Sequence, residues 1–270
     1  MNIFDRNFIP GAAARISRRA DELHMRLKKW RPDLFGAPIR QDMIQLYSND
    51  AQFTTTVSIP HHLSFLAPDT NIDILYKVVA YDRRGALIGK KEHLVKHFET
   101  LQIPLEVAVG RPLDEHGIFA VSCSYSSSEG IDFLGQTSPQ YMTMFLPRDS
   151  RNAPQIVHSH KYMDRFPPLK RKTVRHSSLS EGDQGLTGIS YFLLNSSNVA
   201  VKGELTISSA SGLISRSNLT ASGHGVCRAD VPLSGSGPYQ MTCELDRAIN
   251  HRKPIAFRTF ASGRITASHS

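Results

Sequence analysis

The sequence predicts an all-β protein. It reads as two packed antiparallel β-sandwich units, Ig-like or jelly-roll-like, behind a basic amphipathic N-terminal helix. Three observations lead there. Short segments of alternating apolar and polar residues recur along most of the chain. Gly, Asn, Ser and Pro clusters separate them at near-regular intervals. A clear helical period is confined to residues 12–31. The expected division is residues 1–42 for the helix and connector, 43–162 for the first β-unit, 163–185 for a linker and 186–270 for the second β-unit.

In the N-terminal segment, Ile16, Ala20, Leu23, Leu27 and Trp30 recur at steps of four and three, which is one stripe of a helix. Arg15, Arg18, Arg19, Lys28 and Lys29 lie mostly off that stripe. Pro10-Gly11 precedes the segment and Pro32 ends it. From Phe53 the pattern becomes that of strands, beginning with the β-branched FTTTVSI. Asn71 to Val95 reads as a hairpin turning at Asp82-Arg83-Arg84-Gly85. PLEVAV, GIFAVSCSY, QYMTMFL and PQIVHSHKY each read as a strand.

MDRFPPLKRKTVRHSSLSEGDQG has the composition of a linker. Beyond it, GISYFLL, VAVKGELTI, SGLISRSNL, GVCRADVPL, PYQMTCEL, PIAFRTF and GRITASH read as strands joined by Gly- and Asn-bearing turns. The two units share landmarks that suggest an internal duplication. YDRRG before Leu87-Ile88 matches SSASG before Leu213-Ile214. PQYMTMF matches PIAFRTF, and Ile156 and Ile265 each stand four residues before a histidine, His160 and His269. The stretches NSSNVAVKGELTISSASG and KPIAFRTF resemble the small cytoplasmic β-sandwich of the sensory rhodopsin transducer family. That resemblance covers under a third of the chain. It implies a soluble, oligomer-forming, non-enzymatic binding module and carries no functional residue across.

Composition excludes some classes. With 40% hydrophobic and 21% charged residues among 270, the chain can bury a substantial core and is no disordered tail. Its apolar runs, such as YFLL, are far too short for a transmembrane helix. No signal-peptide pattern opens it, so a cytoplasmic protein is expected. Cys123, Cys227 and Cys243 lack metal spacing and read as buried thiols, although Cys227 and Cys243 could pair in an oxidising compartment. Asn195-Ser196-Ser197 and Asn218-Leu219-Thr220 match the glycosylation triplet but read as turn and strand. The net charge of +8 permits nucleic acid, an anionic membrane surface or an acidic partner.

Candidate chemistry rests on two groups of residues. The first is the twelve histidines. His158 and His160 share one face of a presumed strand, and His269, with His61 or His62, could complete a transition-metal site. His93 and His97 are spaced as in helical metalloproteases, but the glutamate precedes rather than separates them and the segment reads as strand. The second group is basic: Arg15, Arg18, Arg19, Lys28 and Lys29 in the helix, and Lys170, Arg171 and Lys172 in the linker, suited to phosphate or acidic surfaces. Tyr141, Phe145 and Tyr239 could form a sugar-binding platform or belong to the core. No nucleophile elbow or phosphate-binding loop occurs. The leading expectation is a non-enzymatic binding or scaffold protein that associates with itself or with a protein partner. A coat- or movement-type nucleic-acid protein and a metal- or carbohydrate-binding β-protein are the alternatives.

Overall fold

The alternating segments form strands. The computed structural model describes residues 42–66, 68, 72–125, 140–158, 161–164, 168–179, 185–234, 237–249 and 255–269. The N-terminal half holds β1 (Met43–Ser48), β2 (Phe53–Pro60), the short helix α1 (Leu63–Leu66), β3 (Ile74–Asp82), β4 (Leu87–Val95), β5 (Thr100–Pro104), helix α2 (Leu105–Val109), β6 (His116–Tyr125), β7 (Met142–Pro147), β8 (Gln155–His158) and β9 (Lys161–Tyr162). The C-terminal half holds β10 (Thr173–Leu179), β11 (Leu186–Leu194), β12 (Val201–Ser209), β13 (Gly212–Ala221), β14 (Val226–Pro232), β15 (Tyr239–Leu245), β16 (Ile255–Phe260) and β17 (Ile265–His269). The amphipathic segment of residues 12–31 lies outside the described residues.

The protein is all-β, with four small antiparallel sheets. Their strand orders are β4-β3-β6-β1-β9, β5-β2-β7-β8, β10-β15-β12-β13 and β14-β11-β16-β17. Numbered within its own half, the second pair of sheets repeats the first. The order β1-β6-β3-β4 becomes β10-β15-β12-β13, and β5-β2-β7-β8 becomes β14-β11-β16-β17. Strand β9 is the addition, placed outside β1. The sequence landmarks fall on matching strands. YDRRG and SSASG mark the β3–β4 and β12–β13 hairpins, each with a register shift beside its turn. PQYMTMF and PIAFRTF lead into or form β7 and β16, and Ile156 and Ile265 lie on β8 and β17.

One apolar cluster joins the halves. It collects Ile44 and Leu46 of β1, Ile118 and Ala120 of β6, Phe53, Phe145 and Val157, and Phe192, Leu194, Ile255 and Phe257 of β11 and β16. A second cluster lies wholly in the C-terminal half and takes Ile189, Tyr191 and Leu193 from the other face of β11. β11 is therefore apolar on both faces, which explains its run SYFLL where alternation would predict polar residues. β1 is likewise buried at every position. Each large apolar side chain so buried contributes roughly 1.5–3 kcal/mol.

Turns lock the halves at a second place. Asp82 Oδ1 accepts the N–H groups of Arg84 and Ala86, both at 2.8 Å, and closes the β3–β4 turn. Gly85 there has φ 85°. A Cβ on it would stand 1.8 Å from the Gly223 carbonyl oxygen, so only glycine lets this turn seat against residues 221–226. The Val226 N–H then donates to the Arg83 carbonyl at 3.0 Å. Beneath, Asn195 is fully buried and its Nδ2 donates to the carbonyls of Val199, Ala221 and Ser222.

Two expectations are corrected. PLEVAV is not a strand: Leu105–Val109 is a helical turn ended by Gly110 in the left-handed region, φ 71°. It buries Leu105, Ala108 and Val109, a helical rather than an alternating set. The run read as linker contains β10, held to β15 along its whole length. Cys227 and Cys243 form no disulfide and are thiols, as the leading reading of the sequence has it, with Cys243 buried and Cys227 only partly so. No helix among the described residues is long and apolar enough to cross a membrane.

Candidate functional site

An open groove of about 730 Å³ lies on the β10-β15-β12-β13 sheet, lined by Lys170, Lys172, Lys202, Gly203, Glu204, Glu244, Leu245 and Asp246. Pairing builds it. β12 and β15 run antiparallel with Gly203 opposite Leu245 and Glu204 opposite Glu244. A Cβ on Gly203 would approach the Glu244 carbonyl oxygen to 2.3 Å, so glycine permits the close strand approach at the groove floor. The Lys202 N–H donates to Asp246 Oδ1, and the Asp246 N–H returns to the Lys202 carbonyl, both at 2.9 Å. The Ala248 N–H donates to the Leu169 carbonyl at 3.1 Å and brings the start of the basic run alongside.

The charges sort into used and unused. Glu204 and Glu244 sit directly opposite, an unfavourable like-charge pair. Lys172 offsets one of them, with Nζ 2.5 Å from Glu244 Oε2. Arg216 offsets the other, with Nε 3.4 Å from Glu204 Oε1. Both pairs are exposed and contribute at most about 1 kcal/mol each. Asp246 is engaged by the Lys202 backbone. Among the described residues, the ammonium groups of Lys170 and Lys202 have no carboxylate partner. Leu169, 75% exposed, adds an apolar edge beside them.

Of the basic residues expected to bind anions, Lys170 and Lys172 come together here, while Arg171 is exposed outside the lining. Arg15, Arg18, Arg19, Lys28 and Lys29 lie outside the described residues. Sequence reasoning missed Lys202. Its outward position on β12 was legible, but its place beside Lys170 depends on β10 and β12 both pairing with β15.

Among the described residues no histidine lines this groove. His158 is exposed at the end of β8, opposite Met142. His160 and the side chain of His269 lie outside the described residues. His61 and His62 are committed to the fold. His61 Nε2 is 2.5 Å from the Ile72 carbonyl, and its Nδ1 2.6 Å from Ser64 Oγ. His62 Nδ1 is 2.8 Å from the Tyr76 hydroxyl, which itself donates to the Pro60 carbonyl. Burial, helped by His61, lowers the His62 pKa to about 4. His93 lies on β4 with Nε2 2.8 Å from the Ala108 carbonyl, and His97 follows in a turn, so they form no helical pair. Among the described residues no group of three or more His, Cys, Asp or Glu is placed to hold a metal ion. Tyr141, Phe145 and Tyr239 are 2%, 0% and 3% exposed, so they serve the core and not a sugar platform.

No family model matches the chain, and no curated protein matches it. Solved structures similar to it include a β-glucuronidase from glycoside hydrolase family 2, at 10% identity and TM-score 0.15, covering 84% of this chain and 23% of that one. A glycosyl hydrolase family 2 member from Bacteroides cellulosilyticus DSM 14838 is similar at 10% identity and TM-score 0.17, covering 84% of this chain and 27% of that one. The chain thus spans about a quarter of those proteins, and at such scores the likeness carries no argument.

Proposed function

We propose that the protein is a non-enzymatic binding protein that holds an acidic partner protein at the lysine groove. Its body is a tandem duplication of one eight-stranded β-sandwich unit. The observation that carries the reading is the convergence of Lys170, Lys172 and Lys202 on one groove, with two of the three ammonium groups lacking a carboxylate partner among the described residues. A matching strand order in the two halves supports the duplication. Binding of fluorescent polyglutamate by the full chain, followed by anisotropy at low and high salt, tests the groove. Binding should weaken with salt, and the Lys170→Glu/Lys202→Glu variant should bind at least tenfold more weakly. Equal binding by variant and wild type refutes the proposal. A single-stranded oligonucleotide in the same assay measures the nucleic-acid alternative; preference for it over polyglutamate would replace the acidic protein as partner. The apolar period in the sequence of residues 12–31 extends the reading to self-association. Light scattering on the full chain and on a variant lacking residues 1–42 measures that directly, and a monomer in both cases removes it.

A further inference from the structure

We infer that the outer edge of β10 accepts an extended acidic segment of the partner as an added β-strand, an inference that rests on the groove reading above. The two halves supply the comparison. Ala80 pairs with Phe119, which pairs with Gln45. Ile207, beside the equivalent register shift, pairs with Met241, which pairs with Ser177. β1 and β10 therefore occupy the same place, with Met43 and Ile44 matching Arg175 and His176. The outer edge of β1 is occupied there. β9 pairs with it at Met43 and Ile44, and the Met163 N–H continues the ladder to the Asp42 carbonyl at 2.8 Å. At the matching place, no strand among the described residues pairs with the outer edge of β10.

Two other edges, those of β17 and β4, are guarded. The N–H groups of Ile265 and Ala267 on β17 are met by Asn152 Oδ1 and Gln155 Oε1, which also brings β8 alongside. Helix α2 packs on β4. An open edge leaves alternate backbone donors and acceptors to pair with an extended segment. Charge selects its occupant. Lys170, Arg171, Lys172 and His176 are exposed along or before β10, and Val174 presents apolar surface at 38% exposure. A strand alternating acidic and β-branched residues complements that edge. A second copy of the chain does not, because each copy carries a formal charge of +8.

An eight-residue glutamate–valine alternating peptide is the probe, compared with two isomers N-methylated on one or the other alternate set of residues. The full chain is used throughout. Strand addition predicts that one isomer binds at least tenfold more weakly while the other binds like the parent. It also predicts at least tenfold slower amide exchange within residues 173–179 in the complex. Equal binding of both isomers, no added protection in that segment, or no binding of the parent peptide overturns the inference and leaves a charge-guarded edge only. The groove reading is judged separately, by whether Lys170→Glu/Lys202→Glu weakens polyglutamate binding.

Discussion

Phe257 is where the independence of the two halves can be decided. It lies on β16 in the C-terminal half, is 3% exposed, and faces the shared cluster. Its ring centroid is 5.1 Å from Phe53, 5.1 Å from Phe145 and 5.2 Å from Phe192. Two of those rings belong to the N-terminal half, on β2 and β7. Phe257→Ala should destabilise by about 4 kcal/mol, the usual range for a buried aromatic replaced by alanine. Lost edge and tilted ring pairs place the value toward the upper part of that range. Phe257→Leu retains most of the volume and should cost about 1.5 kcal/mol. Urea unfolding followed by far-ultraviolet circular dichroism measures both. Hydrogen exchange of peptides from β6 and β12 reports the two halves separately. A single transition is expected, and the alanine variant should lower protection in both peptides together, because the removed ring touches both halves. A loss below about 1 kcal/mol contradicts the packing argument. Two separated transitions, with only the C-terminal one moved, contradict the claim that the halves share a core.

Three further outcomes follow from the geometry. Gly85→Ala should destabilise by more than about 2 kcal/mol, since a positive φ and a backbone clash act together, whereas Gly263→Ala, with φ 80° and open space, should cost about 1 kcal/mol in the same urea assay. Asn195→Ala removes the donor to three carbonyls, of which that of Ala221 is in a buried hydrogen bond, and should cost about 1–3 kcal/mol. Because that Nδ2 is buried, mass spectrometry of chain expressed in a glycosylating host should find no sugar on Asn195. The His62 pKa, lowered to about 4 in the folded chain, makes the unfolded state bind more protons between pH 4 and 6.5. Stability contributed by neutral His62 is therefore fully present above pH 6.5 and is lost as pH falls toward 4, by roughly 3 kcal/mol in the limit. His62→Gln should flatten that slope in urea titrations across the interval. An unchanged slope assigns the pH dependence to other groups.

Strands such as β12 and β15 were legible because each carries its own alternation and its own turn. VAVKGELTI and PYQMTCEL need no distant information to be read as pleated. PLEVAV misled because five residues cannot separate a helical period from a buried strand. β10 was hidden for a different reason. KRKTVRHSS has the composition of a solvated linker, and only pairing with β15, more than sixty residues away in sequence, makes it a strand. The groove was half legible on the same grounds. Its lysines at 170 and 172 stood out as a run, while Lys202 reaches them through two strand pairings that composition does not encode. For the histidines, spacing alone says nothing about burial. His61 and His62 stand out in the sequence, yet both ring nitrogens of His61 and Nδ1 of His62 are already bonded within the fold.

Matching strand orders also explain why the two halves differ where they do. β1 and β10 occupy one topological place but meet different surroundings. β1 sends Ile44 and Leu46 into the cluster shared with β11 and β16, so both its faces are buried and carry no charged residue, and its outer edge carries β9. On β10 the residue matching Ile44 is His176, exposed and bonded through Nδ1 to Thr242 Oγ1 at 3.1 Å. Burial on the far side therefore removes charge from β1, whereas β10, with nothing packed on that face among the described residues, tolerates a basic run. The lysine-bearing groove lies on the half whose outer face is free among the described residues, because the facing position in the other half is consumed by holding the two together.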